Sequence, residues 1–238
     1  MYDPKPWSGP GVFLNFFKLN DSSKISLDTL EKWFDEEYVP ELLATGAIKF
    51  AWLYKAANPS YDKQHLAVYK VSDLALVQAG KVQEIPRSSK NGLFDGDVDA
   101  SIEFDTRIFS FVQKFETSKQ DEDSADIIML ALMQPAPGGE ADLDSWYRDE
   151  HNQQMSEQLG WKRTTRFNLL FQHSNASKKS EELAFLAIHE FGEGNKLGKD
   201  VEPLQPISDW TKKLMSSVKA IDAAIYHKVK ALGNGAGN

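Results

Sequence analysis

Seven side chains have the types and spacing for small-molecule chemistry. His151, His189 and Tyr226 are proton-transfer groups, Arg166 and Asn168 are donors to developing negative charge, and Trp52 and Tyr54 are flat walls. Imidazole titrates near neutral pH, and a pocket between helix and sheet moves its pKa further, so His151 or His189 could remove or deliver a proton. Tyr226 or Tyr54 would hold a carbonyl oxygen, while Arg166 with Asn168 would stabilise an enolate in a dry pocket. Such a set suits a planar, oxygenated ligand: aromatic walls for the ring, guanidinium for a carboxylate or enolate, amide for a carbonyl. Each residue also has a plainer reading. His151 follows Tyr147 by four residues on the apolar stripe of a helix, where it is equally a core histidine with a satisfied hydrogen bond. Arg166 could reach out to a surface carboxylate along its apolar stem. His65, His173 and His227 lie near strand ends or beside charges and read as surface residues.

Two copies of one pattern must position these groups. Leu30-Glu31-Lys32-Trp33-Phe34-Asp35-Glu36-Glu37-Tyr38 lies over Leu143-Asp144-Ser145-Trp146-Tyr147-Arg148-Asp149-Glu150-His151, 113 residues on, and with one residue inserted Gly46 falls on Gly160. A period of that length is a duplicated domain rather than a solenoid repeat. In each copy an aromatic-rich strand (Val12–Leu19, Asp126–Met133) precedes an amphipathic helix, then a hairpin of two strands (Lys49–Ala56 and His65–Val71; Lys162–His173 and Ala184–Phe191). A second helix (Asp73–Val82, Ser208–Ser217) and a closing strand (Ser101–Phe115, Asp222–Leu232) complete it. Ser26 and Asp28 cap the first helix and Pro40 bends or restarts it.

The order βαββαβ is that of a ferredoxin-like unit in the α+β class: four antiparallel strands with two helices on one face. We expect repeats over 11–115 and 126–232 joined by a charged, solvated linker, 116–125, with the ends of the chain, 1–10 and 233–238, as a proline-punctuated arm and a frayed tail. Two such sheets would close an eight-stranded antiparallel barrel with the helices outside, a pseudo-dimer in a single chain and therefore a monomer. Strand parity places Phe167, Leu169 and Phe171 on one face and Thr164, Arg166, Asn168 and Gln172 on the other. The apolar face is expected to meet the helices, sending Arg166 and Asn168 into the barrel opposite Trp52 and Tyr54. His189 lies over Tyr69 and Tyr226 over Phe109, so the titratable groups gather in the second half.

The bounds are those of an ordinary folded chain: 238 residues, 41% hydrophobic, 26% charged. A formal net charge of −8 with scattered lysines argues against nucleic acid or an anionic membrane as partner. No stretch is apolar enough to span a membrane or serve as a leader, so a cytoplasmic protein is expected. With no cysteine there are no disulfides, thiolate metal sites or cysteine nucleophiles. Asp95-Gly96-Asp97-Val98-Asp99 imitates the start of a calcium loop, but Ala100 stands where glycine is required and Thr106 where the closing glutamate belongs. No metal site, phosphate-cradling loop or dinucleotide fingerprint is read, and no cofactor is expected.

Trp146-Tyr147-x-x-Glu150-His151 followed by Gly160-Trp161-x-Arg163-x-x-Arg166 resembles the helix-turn-strand signature of EthD-like dimeric α/β-barrel proteins, particularly the tandem forms of filamentous fungi. Trp33-Phe34-x-x-Glu37-Tyr38-x-Pro40 resembles it with tyrosine in the histidine place, which puts the chemistry in the second half. The resemblance implies cyclases, lactone isomerases, decarboxylases and dehydratases that work without cofactor, or haem-degrading and quinone-forming oxygenases. The expected activity is acid/base catalysis on an aromatic, polyketide-like or lactone substrate. A non-catalytic ligand-binding protein is the alternative, and a haem-dependent or cofactor-free oxygenase, with His189 as first axial candidate, is the third.

Overall fold

Alternation of apolar residues at a period of two builds eight strands, and their order is fixed by how the two repeats must hide their bare sheet faces. A computed structural model describes residues 5–177 and 180–233. The strands are β1 Gly11–Leu19, β2 Ile48–Ala56, β3 His65–Val71, β4 Ile102–Phe115, β5 Ile127–Gln134, β6 Trp161–Ser174, β7 Phe185–Phe191 and β8 Ala220–Gly233. All pairings are antiparallel, in the order β1-β3-β2-β8-β5-β7-β6-β4, and β4 pairs back onto β1 to close the barrel. Within each repeat the order is that of a ferredoxin-like sheet, and β2·β8 and β4·β6 are the two seams between repeats. Closure removes every sheet edge. Residues 1–4 of the arm and 234–238 of the tail lie outside the described residues.

The helical run of the first repeat is α1 Leu27–Trp33, a π-helical turn Phe34–Tyr38 and α2 Val39–Ala44. Ser26 caps it, its hydroxyl accepting from the Thr29 N–H at 3.1 Å. Leu30, Trp33, Phe34, Tyr38, Val39 and Leu42 form the buried stripe, each burial worth roughly 1.5–3 kcal/mol. Its counterpart is α4 Glu140–Trp146, a π turn Tyr147–His151 and α5 Asn152–Ser156. In both runs the π turn is closed by an i to i+5 bond, Val39 N–H to Phe34 and Asn152 N–H to Tyr147, so Tyr38 and His151 end equivalent turns. The short helices α3 Leu74–Gln78 and α6 Asp209–Ser217 are capped by Asp73 and Ser208.

The middle of the interior is an apolar core, with Leu14, Leu66, Leu130, Leu132, Phe109 and Tyr226 among its most buried members. No helix among the described residues is long and apolar enough to cross a membrane. Because each repeat buries the other's sheet within one chain, sedimentation velocity should show a monomer whose barrel persists on dilution. A dimer that unfolds as it dissociates would contradict this.

A barrel mouth and a histidine pair

The expected orientation of β6 is reversed in the structure. Phe167 and Leu169 face the barrel interior, whereas Arg166 lies under the helices and Asn168 is exposed. The cause is a one-residue offset. Ala51 pairs with Tyr69 and Thr164 pairs with the equivalent His189, so β2 and β6 superpose at 113 residues, and Arg166 corresponds to Leu53, not to Trp52. The residue inserted before Gly160 is given back in the turn, and in a period-2 strand such a slip exchanges the faces. A bulge at Leu170 then flips parity again, bringing Gln172 inward opposite Arg107 and leaving Phe171 45% exposed. Trp52 and Tyr54 do face the interior, and Tyr226 occupies the interior place equivalent to Phe109.

The sequence-predicted groups therefore separate. His151, His189 and Arg166 meet between the second helical run and the sheet. His151 stacks on Trp146 at 4.1 Å between ring centres, as Tyr38 stacks on Trp33 at 4.6 Å, and lies edge-on to His189 at 5.5 Å. His189 is 1% exposed, and its Nδ1 shares a 2.8 Å hydrogen bond with the Thr164 hydroxyl. Arg166 covers the Tyr147 ring at 4.5 Å and donates to Asp144 and Gln113, each at 2.8 Å. Glu150 does not orient His151. It accepts from Ser208 and Thr211 and so ties the helical run to α6.

Burial, aided by the Arg166 charge, lowers the His151 pKa to about 4, and burial next to His151 holds His189 well below its usual value. Both rings are neutral at pH 7. Between about pH 6.5 and 4 the unfolded chain binds protons that the native state refuses, so stability falls with acid across that window. Unfolding free energy should drop by about 2 kcal/mol between pH 7 and 4.5 on account of His151 alone. Denaturant titrations of the native protein and His151→Phe check this: the variant should lose part of the acid sensitivity.

Trp52 and Tyr54 stand elsewhere, on the wall of a cavity of about 280 Å³ at one mouth of the barrel. Val12, Val68, Ile128, Ile188 and Phe167 complete its apolar wall. Lys70, Lys114 and Glu122 also line it, and a buried charged pair is set into it: Arg163 donates through Nε and, at 2.9 Å, through Nη2 to the Glu190 carboxylate, a two-pronged contact. Burial pushes the Glu190 carboxyl up against the pull of Arg163, and burial also holds the Tyr54 phenol well above its ordinary value.

The linker is not free in solvent. Asp123 accepts from the Trp52 indole at 2.8 Å and pairs with Lys228 at 2.9 Å; Glu122 pairs with Lys70 at 2.5 Å and its carbonyl accepts from Arg163 at 3.1 Å. These residues strap 116–125 across the cavity mouth. Sequence reasoning missed Arg163 and Glu190. Their signal was present: Glu190 interrupts the apolar alternation Leu186, Ile188, and Arg163 stands in the Gly160-Trp161-x-Arg163 run already singled out in the sequence.

Tyr226 serves the opposite mouth. Its hydroxyl donates to the Lys63 carbonyl at 2.8 Å, and burial holds its phenol well above the usual pKa.

No family model matches the chain, and no curated protein matches it. Solved structures do. An anthrone oxidase-like protein superposes with a TM-score of 0.59 at 11% identity, over 95% of this chain and 94% of its own. Two proteins named as candidate monooxygenases follow. That of Fusobacterium nucleatum gives a TM-score of 0.55 at 8% identity over 96% of both chains. That of Lactobacillus acidophilus gives 0.54 at 9% identity, over 95% of this chain and 97% of its own. At these identities the shared property is the fold: the ferredoxin-like α/β barrel.

Proposed function

We propose that the protein binds a planar, oxygenated aromatic molecule in the Trp52–Tyr54–Phe167 cavity and transforms it by proton transfer through Glu190. The observation that carries this reading is a buried carboxyl with a raised pKa, set beside a cavity large enough for a small aromatic and walled on one side by Trp52, Tyr54, Phe167 and aliphatic side chains. Glu190 would take a proton from an activated carbon or phenol, and Arg163 would hold the carboxylate before transfer and oppose the new negative charge after it. Tyr54, kept protonated by burial, would donate to the developing oxyanion. The carbanion so formed can be reprotonated elsewhere, lose a leaving group or meet molecular oxygen. Cyclisation, isomerisation, dehydration and cofactor-free oxidation thus share one first step, and the anthrone oxidase-like and monooxygenase neighbours support keeping oxidation among them. A polyketide-related substrate, which rests on the EthD-like resemblance around His151 and Gly160, would occupy the same cavity.

The test is a fluorescence titration with anthrone, hydroxynaphthoquinones and aryl lactones. Saturable quenching that disappears in Trp52→Phe, and binding blocked by Thr165→Trp, which fills the cavity, support the reading. Binding indifferent to both substitutions would overturn it.

A second reading places the chemistry at the histidine pair. It is favoured by the π turn ending at His151, since such turns recur at functional sites, and by the buried Asn152 Oδ1 beside it, which has no partner among the described residues. The gap next to Tyr147 and Arg166 is only about 10 Å³, so a substrate there, or a haem on His189, requires the helical run to move outward. Turnover that survives Glu190→Gln but not His151→Gln would select this reading, and a Soret band in the purified protein would select its haem form.

A further inference from the structure

The barrel has a second mouth, and a buried guanidinium on its wall has hydrogen-bonding capacity that nothing described uses. Phe109 and Tyr226, both 0% exposed, close the middle of the barrel. Beyond them an open cavity of about 570 Å³ is lined by Phe16, Lys63, Arg107, Leu183, Ile221 and Asp222 among others. Arg107 is 0% exposed. Its Nη2 donates to Asp105 at 2.7 Å and its Nε to both oxygens of the same carboxylate at 3.3 Å, while Phe16 lies 5.7 Å from the guanidinium carbon. The Nη1 atom, buried, has no partner among the described residues. A buried donor left unsatisfied forfeits its hydration without compensation, and an acceptor oxygen would restore the lost bond.

The charges of the site decide what that acceptor is. Asp105 neutralises Arg107, and Asp222 is occupied by Lys63 and by the Tyr61 hydroxyl at 2.6 Å. Lys18 pairs with Glu103 at 3.0 Å, and what remains on the rim among the described residues is acidic, Asp62 and Glu181, facing any incoming anion. A phosphate or dicarboxylate would meet that repulsion for the sake of a guanidinium already paired. An uncharged carbonyl meets neither cost, and its body can lie on Phe16 and Leu183.

We propose that the Arg107 mouth is a second small-molecule site, distinct from the Glu190 cavity, that takes an uncharged aryl ketone or lactone with its carbonyl oxygen on Arg107 Nη1. It does not depend on the Glu190 reading, because the two mouths share no lining residue.

Arginine side-chain ¹⁵N NMR tests this with acetophenone and coumarin as probes, and benzoate and inorganic phosphate as anionic comparators. The Arg107 Nη1 signal should shift saturably with both neutral probes. Ile221→Trp, made at a 45% exposed position where folding is not at stake, should weaken binding by about tenfold or more. Arg107→Lys should do the same, whereas Thr165→Trp at the other mouth should leave the shift intact. No saturable shift, a shift untouched by Ile221→Trp, or tighter binding of benzoate or phosphate would each overturn the proposal. The first means that water alone satisfies Nη1, the second that the probes bind elsewhere, and the third that the site is built for anions.

Discussion

Glu190→Gln should lower turnover by about 10²- to 10⁴-fold, the range for loss of a positioned general base, while changing unfolding free energy by no more than about 1 kcal/mol. Glutamine keeps the shape of the side chain and an oxygen for Arg163, so the cavity stays built, but it cannot accept the proton. The two readouts must therefore separate. Turnover of whichever panel compound binds, measured beside chemical denaturation, checks this. If activity and stability fall together, Glu190 is a structural half of an ion pair and the cavity is a binding site without chemistry. If neither moves, the chemistry belongs to His151.

Arg163→Met should be the most destabilising single change in the cavity, by about 3 kcal/mol near pH 7. It leaves Glu190, whose side chain is 15% exposed, without its cation and releases the Glu122 carbonyl of the strap. The pH dependence identifies the cause. Without Arg163 the Glu190 carboxyl is raised further above its unfolded value. A raised carboxyl contributes its stability below the unfolded pKa and loses it as pH climbs through the folded one. The deficit of Arg163→Met should therefore be largest at and above neutrality and shrink toward pH 5. Adding Glu190→Gln should restore much of it. A deficit independent of pH, and not rescued by the second substitution, would assign the loss to the strap and to packing alone.

These expectations reach the second half of the chain by a route that local pattern supports only in part. Trp146 and His151 were legible, because their spacing on an amphipathic helix repeats that of Trp33 and Tyr38, and the stack they form repeats too. Trp52 and Tyr54 were also legible, since β2 alternates cleanly and its aromatic face had to be covered. Arg166 was recognised as important but placed on the wrong face. Its guanidinium satisfies Asp144 and Gln113 and covers Tyr147, which makes it a clamp between helix and sheet in this arrangement.

The sequence by itself determined the order of elements, the duplication and hence the closed eight-stranded barrel, because caps, apolar periodicity and turn glycines are local signals that recur in both repeats. Gly46 and Gly160, at φ of +73° and +75°, mark the same turn in each. Only the tertiary structure decided which face of β6 points inward. Parity there depends on one residue gained between His151 and Gly160 and given back after Gly160; the end of a helical run tolerates such a residue, while a strand cannot absorb it without exchanging its faces. The middle of an eight-stranded barrel is narrow enough for side chains to fill, and Phe167 and Leu169 join the apolar set that fills it. Arg163 meets Glu190 across the β6–β7 hairpin, where a bulge after Trp161 makes the two register partners, whereas the strapping of Glu122 onto Lys70 and of Asp123 onto Trp52 arises from closure of the barrel. A charge on an apolar strand face announces that it needs a partner; which partner it meets is settled by the register of the strand beside it.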